Sequence, residues 1–316
     1  MDGKINIMFS SNAKKKENIQ WLSNSPVEKF LRGYSIEVTP RTAERVDDFR
    51  SLLPKGTLIY IAHIEGTPIE DMLQTAKRLA LEGYPIMPHF PARMIKDKLT
   101  LLDWIERYKG EAGVEQALLI AGSQSKPCGD FKDSIQLMET GLFDKANFTH
   151  LHVAGHPEGN EDIDKDGTNK NVHQAMLWKQ KFNSRSNAKI ALTTQFSFNA
   201  EAIIAWATAI KAAGIDLPIN IGIAGPAKLQ TLIKFAITCG IGPSLKVLQN
   251  RAMDLTKLLL PYEPNDIIRV LAEHKAVSPE MSITNVHFFP LGGIRSNANW
   301  LIKYGGLSCV PADDTQ

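Results

Sequence analysis

One carboxylate, one side-chain amide and several histidines each stand where a short apolar run ends. Glu37 lies between Ile36 and Val38 in SIEVT, His63 closes TLIYIAH, His89 lies between Pro88 and Phe90, and Gln195 closes KIALTTQ. His156 and Glu158 form HPEG after THLHVAG, while Gly122, Ser123 and Gln124 end QALLIAG and open a polar loop. A carboxylate between two apolar neighbours is costly to bury unpaired, and partial desolvation raises its pKa toward the range of a general acid. The competing reading of Glu37 is a structural ion pair with Arg32 or Arg93. Gln195 offers a donor and an acceptor to a heteroaromatic ring, or caps the next loop. Phe196 and Phe198 suit stacking on a flat ligand, or belong to the rim of the core. His89 reads equally as a cofactor contact or a hydrogen-bonded structural histidine, and His63 reads as structural. Gly292 and Gly293 permit close backbone approach to a ligand or form a plain turn.

The elements that must position these residues alternate regularly. Residues 188–225 read as strand, helix, strand: an apolar β-branched run, Asn199 as N-cap with Glu201 in the first turn, an apolar face, then Gly214 as stop before the next strand. Two strands joined by a helix are parallel. Further buried strands are expected at 34–39, 57–63, 84–89, 116–122, 149–155 and 284–289. Helices are expected at 42–53, 67–81, 96–108, 132–140, 172–182, 229–239, 244–260, 264–274 and 297–304. Eight strands each followed by helix is the count of a single (β/α)8 TIM barrel in the α/β class, whose ligands sit at the carboxyl ends of the strands. An open doubly wound sheet remains open as the alternative, although no glycine-rich turn follows the first strand. The expected division is a lead-in at 1–33 packed on the barrel, the catalytic barrel at 34–304, and a loose C-terminal tail at 305–316.

Composition narrows the partners. The 316 residues are 43% hydrophobic with a formal net charge of +2, which fills a core and indicates no polyanion. The Lys14–Lys16 run has no interleaved aromatics, so nucleic acid is not expected. Cys128, Cys239 and Cys309 have no paired spacing, so neither a disulfide framework nor a zinc site is expected. No run approaches a bilayer span and the start is unlike a secretory signal, so the expectation is a cytoplasmic protein without membrane contact. A homo-oligomer is compatible with all of this.

The series SIEVTP, MPHFPAR, HVAGHPEG, LTTQFSFNAEAIIAWATAIKAAGIDLPINIGIAG and HFFPLGG resembles methylenetetrahydrofolate reductase in its short form, across residues 34–304. The resemblance implies an FAD-containing barrel that passes hydride from NAD(P)H through flavin to the methylene carbon of methylenetetrahydrofolate, giving methyltetrahydrofolate. It assigns Glu37 the role of the acid that opens the folate ring. Gln195, Phe196, Phe198, Gln124 and Arg295 fall to substrate binding, and His63, His89, Gly122, Ser123, His156, Glu158, Lys179 and Lys181 to the flavin. No metal is implied.

This chain departs from the family after the fourth strand. The usual Arg-Gly-Asp is replaced by Ala121, Gly122, Ser123 and Gln124. A divergent branch follows, one that oxidises methyltetrahydrofolate in one-carbon catabolism or dispenses with flavin. Two rival classes are a folate or flavin binder without turnover, and a metal-dependent barrel hydrolase built on His63, His89 and His156.

Overall fold

The computed structural model describes residues 17–21, 25–253 and 260–311. The Lys14–Lys16 run, the 254–259 part of the expected 244–260 helix, and residues 312–316 lie outside them. After β1 (Glu17–Trp21) come β2 (Ser35–Val38), β3 (Leu58–Ile61), β4 (Ile86–Pro91), β5 (Gln116–Ile120), β6 (His150–Gly155), β7 (Lys189–Ser197), β8 (Ile219–Ala224) and β9 (Ile283–Phe289), then β10 (Leu307–Pro311). Strands β2 to β9 are parallel, pair in chain order and close β9 onto β2, so the fold is a single (β/α)8 barrel.

The helices, in chain order, are α1 (Pro26–Leu31), α2 (Pro40–Ala43), α3 (Ile69–Leu81), α4 (Lys98–Ala112), α5 (Ser134–Glu139), α6 (Leu142–Lys145), α7 (Lys170–Asn183), α8 (Ala200–Ala212), α9 (Leu229–Thr238), α10 (Gly242–Met253), α11 (Asn265–Val277) and α12 (Ile294–Lys303). The strands alternate with period two. Ile36, Ile59, Ile61, Leu119, Val153, Leu192, Ile221, Ile223 and Phe288 are buried in the main cluster with residues of the surrounding helices. Each such apolar side chain contributes about 1.5–3 kcal/mol by leaving water. The opposite positions face the barrel axis, and several of them are polar: Ser35, Glu37, His89, His152, Thr193, Asn220 and His287.

Three local differences from the sequence reading have visible causes. The expected helix at 42–53 is only α2 plus a 3-10 turn at Phe49–Ser51. Thr39 and Thr42 start α2 with a capping box, and the guanidinium of Arg78 on α3 donates to the carbonyls of Ala43, Val46 and Asp47, giving those groups partners without further helix. Strand β7 continues two residues past Gln195 because the register shifts between Thr193 and Phe196, and Thr194 Oγ1 accepts the Gly222 N–H at 2.9 Å. The tail is not loose throughout, since β10 pairs antiparallel with β1.

Between β8 and α11 the chain builds α9 and α10 into a cap. Their apolar faces join a second cluster of Leu229, Leu232, Ala236, Ile241, Leu248 and Tyr262 with Phe196, Ala224 and Phe289. Those last three residues end β7, β8 and β9, so the cap lies over the carboxyl end of the barrel. As the sequence implied, Asn199 caps α8, its side chain accepting the Ala202 N–H at 2.9 Å.

Candidate active site

Glu37 is the third residue of β2 and faces the axis near the carboxyl end. Its Oε2 lies 3.3 Å from Nε2 of His89 on β4 and 3.8 Å from Nε2 of His287 on β9. Neither contact is a hydrogen bond, the second being too long for one; both imidazole nitrogens are buried and converge on the one carboxylate. The side chain of Glu37 keeps 20% of its surface exposed, while His287 has none.

The arrangement corrects two expectations about Glu37. Its partners are histidines, whereas Arg32 pairs with Glu28 and Arg93 with Asp162. Its pKa moves down, to about 2: burial pushes it up, but His287 and His89 together outweigh burial. The resting group is a carboxylate. His287 is held below the usual imidazole range by burial, against the opposing pull of Glu37.

Beneath this cluster a polar core runs down the axis. His287 Nδ1 lies 2.9 Å from Ser35 Oγ. The Tyr60 ring packs 4.2 Å from the His287 ring, and its hydroxyl lies 2.5 Å from His152 Nδ1. Thr193 and Asn220 also reach that nitrogen, at 3.2 and 3.3 Å, and Asn285 donates to Asn220 at 3.3 Å. Burial holds His152 neutral, its pKa lowered to about 3. Sequence reading missed Ser35, Tyr60, His152, Asn220 and His287. Their signal was present as polar residues at every second position of runs read as buried strands.

Above the carboxylate, ring contacts lead to the mouth. His287 packs on Phe289 at 4.8 Å, Phe289 on Phe196 at 5.4 Å, and Phe196 on Phe198 at 5.8 Å. Phe196 is 1% exposed and therefore part of the cap's core, while Phe198 is half-buried at the edge. Gln195 is also half-buried, its Oε1 accepting the Phe196 N–H at 3.0 Å. Arg295 is exposed in the first turn of α12, which follows β9 at the same end.

The residues that the resemblance assigns to flavin lie on different segments of the chain, after β3, on β4, in the loops after β5 and β6, and on α7. His89 and His156 face the barrel's carboxyl end, and burial followed by the nearby Lys179 charge lowers His156 to about 4. His63 points outward instead, packed on Trp104 of α4 at 5.0 Å and bonded to the Thr67 carbonyl at 2.9 Å. Lys179 is 4% exposed and donates to the Ala154 carbonyl at 2.9 Å; burial pushes its pKa down to about 8. Lys181 is exposed in the last turn of α7, the end that leads back to the start of β7. The carboxylate of Glu158 accepts the backbone N–H of Ser244 at 3.0 Å and its hydroxyl, tying the β6 loop to the start of α10. Ser123 is exposed, and Gly122 takes a left-handed φ of 97° that brings the Gln124 amide against it. Gln124 Oε1 is buried without a hydrogen-bond partner. Lys179 lies close enough to His156 for its charge to act on that ring, while Lys181 sits at the far end of α7.

No family model matches the chain. An uncharacterized protein from Clostridium thermocellum that binds two copies of 5-methyl-5,6,7,8-tetrahydrofolic acid superposes with TM-score 0.51 at 12% identity, over 88% of this chain and 96% of that chain. That likeness is one of fold. A mandelate racemase/muconate lactonizing enzyme from Bordetella bronchiseptica RB50 gives TM-score 0.42 at 12% identity, over 93% of this chain and 61% of that one. Yersinia pestis DHPS with a pterine-sulfa conjugate gives 0.41 at 12% identity, over 88% and 94%. At those scores neither bears on function.

Among the described residues no group of three or more His, Cys, Asp or Glu is arranged to hold a metal. The rival trio does not assemble, because His63 faces away from the barrel axis. No helix among them is long and apolar enough to cross a membrane.

Proposed function

We propose that the protein is a folate-dependent oxidoreductase that interconverts methylenetetrahydrofolate and methyltetrahydrofolate, with NAD(P)H or its oxidised form as the partner. The observation that carries this reading is the single carboxylate of Glu37, partly exposed and flanked by two buried imidazoles, at the carboxyl end of a barrel. The sequence resemblance supports it, and so does the methyltetrahydrofolate bound by the Clostridium thermocellum barrel of like fold.

In the reductive direction Glu37 donates a proton on the N10 side, the imidazolidine ring opens to an iminium, and hydride from the nicotinamide reduces that carbon. Both rings must lie face to face without water between them. The aromatic edge at Phe198 and the cap over β7 to β9 supply apolar cover for that stack. No step is routed through flavin.

One observation favours a second reading, the oxidative direction. Glu37 rests ionised, which is the form that accepts the proton when methyltetrahydrofolate is oxidised and the ring closes again.

Purified protein is incubated with methylenetetrahydrofolate and NADH or NADPH, or with methyltetrahydrofolate and the oxidised nicotinamides, with and without added FAD, and nicotinamide absorbance is followed. The expected result is colourless protein whose turnover does not respond to FAD. Turnover that appears only with FAD would restore the flavin route; no turnover in either direction, with folate still raising the melting temperature, would leave a binding protein.

A further inference from the structure

The barrel has a second opening, at its amino-terminal face. A cavity of about 310 Å³ is lined there by Gly33, Ser35, His152, Ala191, Asn220 and Asn285, among others. The exposed Lys189 and Thr284 mark its outer edge. Ser35 lines this cavity and also contacts His287 Nδ1 at 2.9 Å, and His287 Nε2 lies 3.8 Å from Glu37 Oε2. The carboxylate at the mouth and the cavity at the far face are therefore separated by only two side chains.

Resting on the reading of Glu37 as the proton donor, the geometry points to His287 and Ser35 as a relay that returns protons to Glu37 from the amino-terminal cavity, behind the bound folate. The need is physical. A folate and a nicotinamide stacked over Glu37 exclude water from the mouth, so the carboxylate left after ring opening has no solvent of its own.

The relay balances. His287 passes its Nε2 proton to Glu37, takes the Ser35 hydroxyl proton on Nδ1, and Ser35 takes one from cavity water. One proton enters and one reaches Glu37, with His287 changing tautomer and never becoming an imidazolium. After product release the starting tautomer returns when Nε2 takes a proton from solvent in the open mouth and Nδ1 gives one back through Ser35 to the cavity. Rotation of the Glu37 side chain closes the 3.8 Å gap. The other titratable groups facing this path are His89 from β4, Tyr60 from β3, His152 from β6 and, at the cavity, His150 from β6 and Lys189 from β7.

The test uses the full chain and four variants: Glu37→Gln, Ser35→Ala, Ser35→Thr, and Ala191→Leu, which adds bulk to the cavity wall from β7. Turnover with methylenetetrahydrofolate and NAD(P)H is measured in H₂O and D₂O across pH, together with the ¹⁵N spectrum of the His287 ring without ligand. Expected are a proton on Nε2, an Nδ1 resonance that moves in Ser35→Ala, and kcat losses on the order of tenfold in Ser35→Ala and Ala191→Leu with a larger solvent isotope effect. KM should be unchanged, and Ser35→Thr should restore the rate. A proton on Nδ1 in the unliganded protein overturns the relay whether or not turnover is seen. So do wild-type rates and isotope effects in both Ser35→Ala and Ala191→Leu, which would mean that water reaches Glu37 through the mouth. Wild-type turnover in Glu37→Gln overturns the donor assignment instead, and with it the relay.

Discussion

At the scale of single residues, Glu37 is set by what converges on it. Two imidazoles draw its pKa down to about 2 although burial pushes the other way. In the unliganded protein the protonated fraction therefore falls about tenfold for each pH unit above that value. If the acid form is the active one, kcat/KM for methylenetetrahydrofolate should fall with rising pH between 5 and 8; a profile flat over that range would show that another group donates the proton. Glu37→Gln should lower folate turnover by about 10²–10⁴-fold, the usual contribution of a positioned acid, with circular dichroism and ligand-free stability showing the fold intact. Gly222 is a second informative position. A Cβ there would lie 2.5 Å from the carbonyl oxygens of Thr194 and Gln195, inside the β7 bulge. Gly222→Ala should cost about 1–3 kcal/mol in urea unfolding and disturb Gln195 most directly.

At the scale of elements, the cap is held differently from the barrel helices. The α9 and α10 pair packs its apolar face on Phe196, Ala224 and Phe289, while Ser244 anchors it through Glu158 and through the Phe198 N–H, which donates to Ser244 Oγ at 3.2 Å. A carboxylate at the amino end of α10 also complements the helix dipole. Removing the hydroxyl in Ser244→Ala leaves Glu158 and the Phe198 amide short of a partner, a loss of about 1–3 kcal/mol. Hydrogen exchange should then quicken in residues 229–253 and leave β2 to β6 unchanged. Faster exchange throughout the barrel would mean that Ser244 supports the whole fold.

At the scale of the whole molecule, the polar axis gives stability a pH dependence. His152 and His156 are held neutral, with pKa values lowered to about 3 and about 4, chiefly by burial. Below the unfolded value of 6.5 the unfolded chain takes up protons that the folded chain refuses, so stability is full above pH 6.5 and falls as the pH drops toward those folded values. Each histidine contributes a slope of about 1.4 kcal/mol per pH unit in that window. Urea midpoints should therefore fall from pH 6.5 to pH 4.5, and His152→Gln should flatten the slope. Equal slopes in the two proteins would show that His152 is not the group responsible.

The barrel itself was legible, because apolar β-branched runs of strand length, alternating with capped amphipathic stretches, leave few other ways to bury their faces. Glu37 was legible because a carboxylate between Ile36 and Val38 is conspicuous in any strand. What it meets was not. Ser35 and His287 lie 252 positions apart and touch only because β9 closes onto β2, and the direction in which His63 or Lys179 points depends on which face of its element packs inward. Local sequence determined the strands, the helices and the lone acid through propensity and patterning. Barrel closure and register alone decided that this acid sits between two histidines over a polar axis, since contacts across the axis join residues that no local interaction brings together.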